Sequence, residues 1–324
     1  MSAKRSNCTE ERFIALWREL QSATLVAKAL DCSITNVSAR RRRIERDRGI
    51  VLPVYDPRGV YSTHEVSAGA VATLNIEEGV VVVGSDFHIV PGPLTTMQRA
   101  FLMMVKRLKP AAVILNGDVA DFSSIGRHPT IGWEKRPTVK SEFEAISDYL
   151  GELVKAAGKA QRFWTLGNHD ARFESRIANL VPELAGMKGV HLKDHFPLWI
   201  PCWRVDINPD QKDMIVRHRE LGGEHADHRN VVTSNGWGVC TGHDHRANVT
   251  AYHSYGGTKF GVRCGYMGES PRDPQFVHYL EAREPNWHPA FAVLTWRNGV
   301  MLWPELCVRH GDGVVTFRGE VIEV

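Results

Sequence analysis

Three short apolar runs constrain this chain more than any other feature. Val80-Val81-Val82-Val83 is wholly β-branched and leads into Gly84-Ser85-Asp86. Ala111-Ala112-Val113-Ile114-Leu115 leads into Asn116-Gly117-Asp118, and Arg162-Phe163-Trp164-Thr165-Leu166 into Gly167-Asn168-His169-Asp170. A short apolar run without alternation, bounded by turn residues, reads as a strand buried on both faces. Helical patterns near 93–108 and at about 139–158 separate the three. Strand, helix, strand, helix, strand specifies an α/β domain with parallel pairing. Open α/β sheets build their sites at the carboxyl ends of strands, so the carboxylate, amide and imidazole groups there are expected to converge.

The N-terminal part reads differently. Of 40 Lys/Arg and 37 Asp/Glu, eleven and six fall in residues 1–50, which leaves +5 there and −2 in the rest. A basic head on a near-neutral body points to a polyanionic partner. Thr9 can cap a helix with Glu10 and Glu11 in its first turn and Phe13, Leu16, Trp17 and Leu20 as its apolar stripe. A second helix is expected at 22–30, with Leu25, Val26, Ala29 and Leu30 on one side. A third, capped by Ser33 or Thr35, runs to about Arg48 and ends at Gly49.

This arrangement, with Asp31-Cys32-Ser33-Ile34-Thr35-Asn36-Val37-Ser38 at its break, resembles a helix-turn-helix module over residues 1–48. Val37 and Ile44 would face inward, and Asn36, Arg40 and Arg43 would share the face that enters a DNA groove. Arg40, Arg41, Arg42 and Arg43 span more than one turn, so some would reach phosphates. The competing reading is a solvated charged helix in a small protein-binding bundle. Residues 49–78 lack a period and read as a linker, and residues 79–324 form the main domain.

Composition excludes other classes. With 43% hydrophobic and 24% charged residues the chain is neither disordered nor fibrous. No apolar run reaches the roughly 18–20 residues that span a bilayer, and the N-terminus lacks the apolar core of a secretory signal. The six cysteines (Cys8, Cys32, Cys202, Cys240, Cys264, Cys307) form no CxxC pair, which fits a reducing compartment and argues against a cysteine zinc site. A soluble cytoplasmic protein without a membrane partner is expected.

Five motifs carry the chemistry. Asp86-Phe87-His88 offers two ligand types two residues apart, which point to one side if strand geometry continues. Gly117-Asp118-Val119-Ala120-Asp121 offers a carboxylate able to bridge two ions, and Asn168 a neutral oxygen. Later come Ile215-Val216-Arg217-His218 and Gly242-His243-Asp244-His245.

Taken in order, these resemble the calcineurin-like metallophosphoesterase superfamily, with its DxH, GDxxD, GNH(D/E), H and GHxH motifs, over about 79–324. Gly167-Asn168-His169-Asp170-Ala171-Arg172-Phe173-Glu174, Val181-Pro182-Glu183-Leu184 and Asn286-Trp287-His288-Pro289-Ala290-Phe291 are similar to phage-borne members, which would place the protein in a host cytoplasm. The resemblance implies an α/β fold, a two-sheet αββα sandwich with two divalent ions at one rim. One ion would take Asp86, His88, Asp118 and His245, and the other Asp118, Asn168, His218 and His243.

Those seven ligands carry two formal negatives, Asp86 and Asp118, so two divalent ions with a bridging hydroxide leave a net charge of about +1 that attracts phosphate. The oxygen and nitrogen donors suit manganese, iron or zinc, with manganese preferred from the family. The implied reaction is in-line attack of the bridging hydroxide on phosphorus. His169 would be the general acid, Asp170 could orient its imidazole, and Asp121 would hold a ligand histidine in the correct tautomer. Arg127, His128 and Arg172 are candidate phosphate contacts.

Two departures matter. Arg219 stands after His218 where members often have glycine, so His225 and His228 remain alternative ligands. Phe122-Ser123 after Asp121 departs from the protein Ser/Thr phosphatase branch. Among the tryptophans, Trp164, Trp287, Trp296 and Trp303 read as core, whereas Trp199 and Trp203 could cover the site or stack bases. The expected function is a dimetal phosphodiesterase acting on DNA, a nuclease. The alternative is a phosphatase or nucleotide phosphodiesterase for small esters whose head serves assembly or localisation. A DNA-binding regulator with a vestigial body is a third reading, and protein partners and homo-oligomers stay open.

Overall fold

The structure, a computed structural model, describes residues 8–50, 52, 71–127, 133, 135–269 and 285–324. The chain divides into two compact units, Met1–Ser62 and Thr63–Val324.

In the first unit, α1 (Glu10–Leu20), α2 (Ala23–Ala29) and α3 (Ile34–Arg48) are capped by the hydroxyls of Thr9, Ser22 and Ser33. Ser33, not Thr35, caps α3, accepting from Asn36 N at 3.2 Å. Gly49 closes α3 at φ +63°, a conformation that disfavours a β-carbon. Phe13, Trp17, Val26, Ala27, Val37, Ile44 and Leu52 form the core. The expected apolar side of α2 is only half right, because Val26 and Ala27 are buried while Leu25 and Ala29 are exposed.

A similar correction applies to the arginines. At about 100° per residue, Arg40 and Arg41 lie about 50° to either side of the stripe made by Val37 and Ile44. Both therefore fold back over the core. The Arg40 guanidinium sits 5.0 Å from the Phe13 ring and bonds the Cys8 carbonyl, and that of Arg41 sits 5.2 Å from the Trp17 ring and pairs with Glu45. Asn36, Arg42, Arg43 and Arg46 make up the exposed polar face of α3.

The second unit is a two-sheet α/β sandwich. The larger sheet has the order β15-β14-β13-β11-β2-β3-β4-β5, with β12 (Val300–Met301) beside β11. At its centre β2 (Gly79–Gly84), β3 (Ala112–Asn116) and β4 (Gln161–Thr165) pair in parallel, and β5 (Ile200–Cys202) continues beyond β4. On the other flank β11 (Ala290–Arg297) runs antiparallel to β2, followed by β13 (Glu305–Gly311), β14 (Val314–Phe317) and β15 (Glu320–Glu323). The second sheet joins β1 (Val71–Leu74), β6 (Arg204–Ile207), β7 (Met214–Val216), β8 (Gly238–Thr241), β10 (Gly257–Cys264) and β9 (Ala247–Ser254) in that order. β1 pairs with β6 residue for residue, so part of the expected 49–78 linker is sheet.

The central strands are apolar throughout because they face two cores. Val82, Val113 and Leu115 pack under helices α4 (Thr96–Leu108) and α5 (Val139–Ala157). Val81, Val83, Ala112 and Ile114 meet Val205, Ile207, Met214, Val216 and Val262 of the second sheet. Helix Ala226–Thr233 covers that sheet's outer side, against β8, β9 and β10. This is an αββα layering, with the ends of β2, β3 and β4 on one rim. Trp164 and Trp296 are core, as is Trp199, whereas Trp203 and Trp303 are exposed. No described helix is long and apolar enough to cross a membrane.

Candidate metal centre

Leaving β2 at Gly84, the chain turns sharply and does not continue as a strand. Asp86 and His88 both adopt left-handed backbone, at φ 56° and 43°, which corrects the strand-geometry argument for their shared direction. What aligns them is the exit of β3, since Asp86 N donates to Gly117 O at 2.9 Å and His88 N to Asp118 O at 3.0 Å. Asp118, His243 and His245 are also left-handed, at φ 51°, 73° and 59°. Each such residue costs about 1–2 kcal/mol, so the surroundings must enforce the shape.

Two donor groups result. Asp86, His88 and His245 form one, and Asp118, His218 and His243 the other, with the ligating atoms of each within 4.8 Å of one another; His88 also meets the same limit with Asp121 and His169, a third group among the described residues. His245 Nε2 lies 3.2 Å from Asp86 Oδ1, and His218 Nε2 lies 3.1 Å from Asp118 Oδ2. The His218 Nδ1–H donates to Asn116 O at 2.8 Å, which aims Nε2 into the pocket. Asn168 is placed between Gly167 and His169, whose backbone N donates to Asp118 Oδ1 at 2.8 Å. His225 and His228 are exposed and belong to none of these groups, which leaves His218 as the fourth-motif candidate.

The motif glycines leave room for neighbouring ligands. A β-carbon on Gly117 would overlap the His218 ring, one on Gly167 would overlap Asp118, and one on Gly242 would overlap Ser85 and Asp86.

Asp170 does not orient His169. Its buried carboxylate accepts from the backbone N of Asp118 (2.8 Å), Val119 (2.9 Å), Ala120 (3.0 Å) and Gly167 (2.9 Å), and from Trp164 Nε1 (3.0 Å). Five donors saturate it, and it pins the second-motif turn. His169 is oriented by Asp121 instead, with Nδ1 at 2.9 Å from Asp121 Oδ1. The same oxygen lies 3.2 Å from His88 Nδ1. Burial alone would raise the Asp121 pKa, but hydrogen bonds from His169 and His88 outweigh it and hold the carboxyl well below its ordinary value. Arg172 donates through Nη1 to Asp121 O (2.7 Å) and lies 3.0 Å from His169 Nε2 through Nη2. A guanidinium accepts nothing, so in this arrangement Nε2 is the acceptor and the ring proton is on Nδ1. Arg127 is exposed and outside this cluster, and His128 lies outside the described residues.

The donor set fits divalent ions. Asn168 Oδ1 is buried without a hydrogen bond, an arrangement that is unfavourable unless a cation takes its lone pairs. Burial opposes charge on His218, yet Asp86 and Asp118 prevail and raise its pKa to about 9. Burial likewise opposes charge on Asp118, and His218 foremost among its neighbours holds it at about 2. An imidazolium thus supplies the positive charge these carboxylates require, and a metal would displace that proton.

The sequence reading missed several contributors. Ser85 Oγ donates to Asp86 Oδ2, and Tyr266 stacks on His245 with ring centroids 5.1 Å apart. Trp287, read as core, is half-buried against His245 at 4.3 Å. Trp287 does fall within a motif stretch, whereas nothing near Tyr266 signals its role.

No curated protein sequence matches the chain. Among solved structures, zinc-bound wild-type Vps29 from Entamoeba histolytica is 14% identical, with a TM-score of 0.40 over 75% of this chain and 98% of its own. A dimetal phosphatase from Danio rerio is 9% identical, with a TM-score of 0.35 over 76% and 98%. The family model described as calcineurin-like phosphoesterase matches residues 79–247, more than half of the chain. By that match, which spans every candidate ligand from Asp86 to His245, the protein belongs to the calcineurin-like phosphoesterase family.

Proposed function

We propose that this protein is a dimetal phosphodiesterase that hydrolyses DNA, with manganese as the preferred ion and iron or zinc as substitutes. The observation that carries the reading is the pairing of the two donor groups with a basic helical head. Asp86, His88, Asp118 and His245 would hold one ion, and Asp118, Asn168, His218 and His243 the second. When bound, the ions supply Lewis-acid charge for the phosphoryl oxygens and a water of lowered pKa.

The chain's own residues do the rest. His169 delivers a proton from Nε2 to the leaving oxygen, while Asp121 fixes the ring through Nδ1. For that, the Arg172 contact at Nε2 must open, which frees its Nη2 for a phosphate oxygen. In the head, which resembles a helix-turn-helix, Asn36 reads base edges and Arg42 and Arg43 meet phosphates. Arg40 and Arg41 hold α3 on α1. Among the described residues Arg40 and Arg41 lie against the core, and the smaller exposed basic face of α3 favours the alternative, in which the substrates are small phosphoesters and the head serves assembly.

Substituting Arg42→Glu with Arg43→Glu in the full chain separates the two. The DNA reading expects Mn²⁺-dependent DNA cleavage to collapse while turnover of bis(p-nitrophenyl) phosphate is retained. DNA cleavage that survives the double substitution favours the alternative, and a wild-type protein that cleaves no DNA at low salt refutes the proposal.

A further inference from the structure

We infer that Arg263 and Asp244 form a clamp, anchored in the interior at Arg263, that positions the His243-Asp244-His245 turn for ion binding. The inference rests on the dimetal reading above and adds residues to it that lie outside the ligand set.

His243 and His245 hold left-handed backbone on either side of Asp244. Two such residues in one turn persist only where other contacts over-determine them. His243 N donates to Asp86 Oδ2 at 2.9 Å and His245 O accepts from His288 N at 2.8 Å, and Asp244 supplies the contacts that reach the interior. Its Oδ2 accepts from Arg263 Nη1 at 2.9 Å, its Oδ1 from Arg246 N at 3.2 Å, and its own N donates to Gly242 O at 2.9 Å.

Arg263 sits on β10 opposite Thr241 of β8, two residues before His243, and its side chain is 2% exposed. Its remaining donors reach a different part of the chain. Nε bonds Asp227 Oδ1 at 3.2 Å, Nη1 bonds Gly223 O at 3.3 Å, and Nη2 bonds Asp227 and Glu224 O. Asp227 opens helix Ala226–Thr233 and also accepts from Asn248 Nδ2 at 2.6 Å and from Thr250 Oγ1. One planar guanidinium therefore ties the chain that follows His218 to the turn that bears His243 and His245. Three of the seven donors are tied through it, in a geometry that a lysine cannot reproduce.

The clamp has separable parts. Arg263 and Asp227 are both 2% exposed and belong to the packed interior, whereas Asp244 is 26% exposed and forms the arm that reaches the ligands. Asp244→Ala cuts the arm and leaves the interior pair. Asp244→Asn keeps an oxygen acceptor for Arg263.

The test is calorimetric titration of Mn²⁺ into the full chain, with thermal unfolding in EDTA alongside. Removing an outer partner of a ligand typically weakens metal affinity about 10–100-fold, and that loss is expected for Asp244→Ala with little change in the EDTA melting temperature. Asp244→Asn should recover most of the affinity, and Thr250→Val, which trims the interior side of the network, should bind Mn²⁺ as wild type does. Wild-type affinity in Asp244→Ala overturns the clamp. So does a lowered melting temperature with affinity unchanged, or an equal loss in Thr250→Val. A wild-type protein that takes up no Mn²⁺ overturns the dimetal reading itself, and the clamp with it.

Discussion

Replacing Asp170 by asparagine tests whether this residue acts through His169 or through the backbone. Its Oδ2 accepts three N–H groups, from Asp118, Gly167 and Trp164, and its Oδ1 accepts two, from Val119 and Ala120. An amide must turn its NH₂ toward one of these sets. Even the milder orientation leaves Val119 N and Ala120 N facing a donor. A hydrogen bond to an ionised group contributes about 1.5–3 kcal/mol, so losing two costs about 3–6 kcal/mol at a site only 1% exposed. For a unit of this size about 1 kcal/mol moves Tm by roughly 2–4 °C, which gives a fall of about 6–24 °C. Differential scanning calorimetry in EDTA reads this without any ion contribution. Had Asp170 served to orient His169, the substitution would lower kcat and leave Tm alone. That outcome refutes the structural assignment.

Asp121→Asn should behave in the opposite way, with a small change in Tm, a clear loss of kcat and a shift of the basic limb of the pH–rate profile to lower pH, because its carboxylate holds the proton on the general acid His169 and also faces His88. His169→Ala should slow esters with poor leaving groups about 10²–10⁴-fold and spare p-nitrophenolate esters, a contrast measurable in one assay series. The ion-free protein should lose stability as pH rises. The His218 pKa is raised to about 9 in the folded chain, so its contribution is complete below the unfolded value of about 6.5 and is lost as pH climbs through 9. Unfolding in EDTA across that range checks the sign, and Mn²⁺ affinity should strengthen over the same window. If Arg42, Arg43 and Arg46 each meet a phosphate, the logarithmic salt dependence of DNA affinity should have a slope of about −2.7, and each substitution to Ala should remove about 0.9 of it.

Much of the larger unit was legible because its central strands face two apolar cores. Such strands leave an unbroken valine run, and their ends must carry the polar groups. β1 was not legible. Four residues at a sheet edge, paired to a strand more than a hundred positions away, leave no local period. The candidate ligands followed from motif order, but not the backbone that aims them, since left-handed φ at Asp86, His88 and Asp118 is a product of tertiary contacts. Adjacency in sequence suggested Asp170 as the partner of His169. The turn instead sends Asp170 inward to backbone donors and brings Asp121 across. In α3 Arg40 was expected on the groove face with Asn36 and Arg43, yet helical geometry sets Arg40 and Arg41 as a pair flanking the core and leaves Arg42 and Arg43 facing outward.

The account stands on the claim that side chains from five separated motifs hold two ions at one rim. Anomalous diffraction from crystals of the full chain grown with Mn²⁺ addresses it directly. Two peaks about 3.5–4 Å apart are predicted, one against Asp86, His88 and His245, the other against Asn168, His218 and His243, with Asp118 between them. A single peak, or manganese bound elsewhere while these donors stay empty, would contradict it.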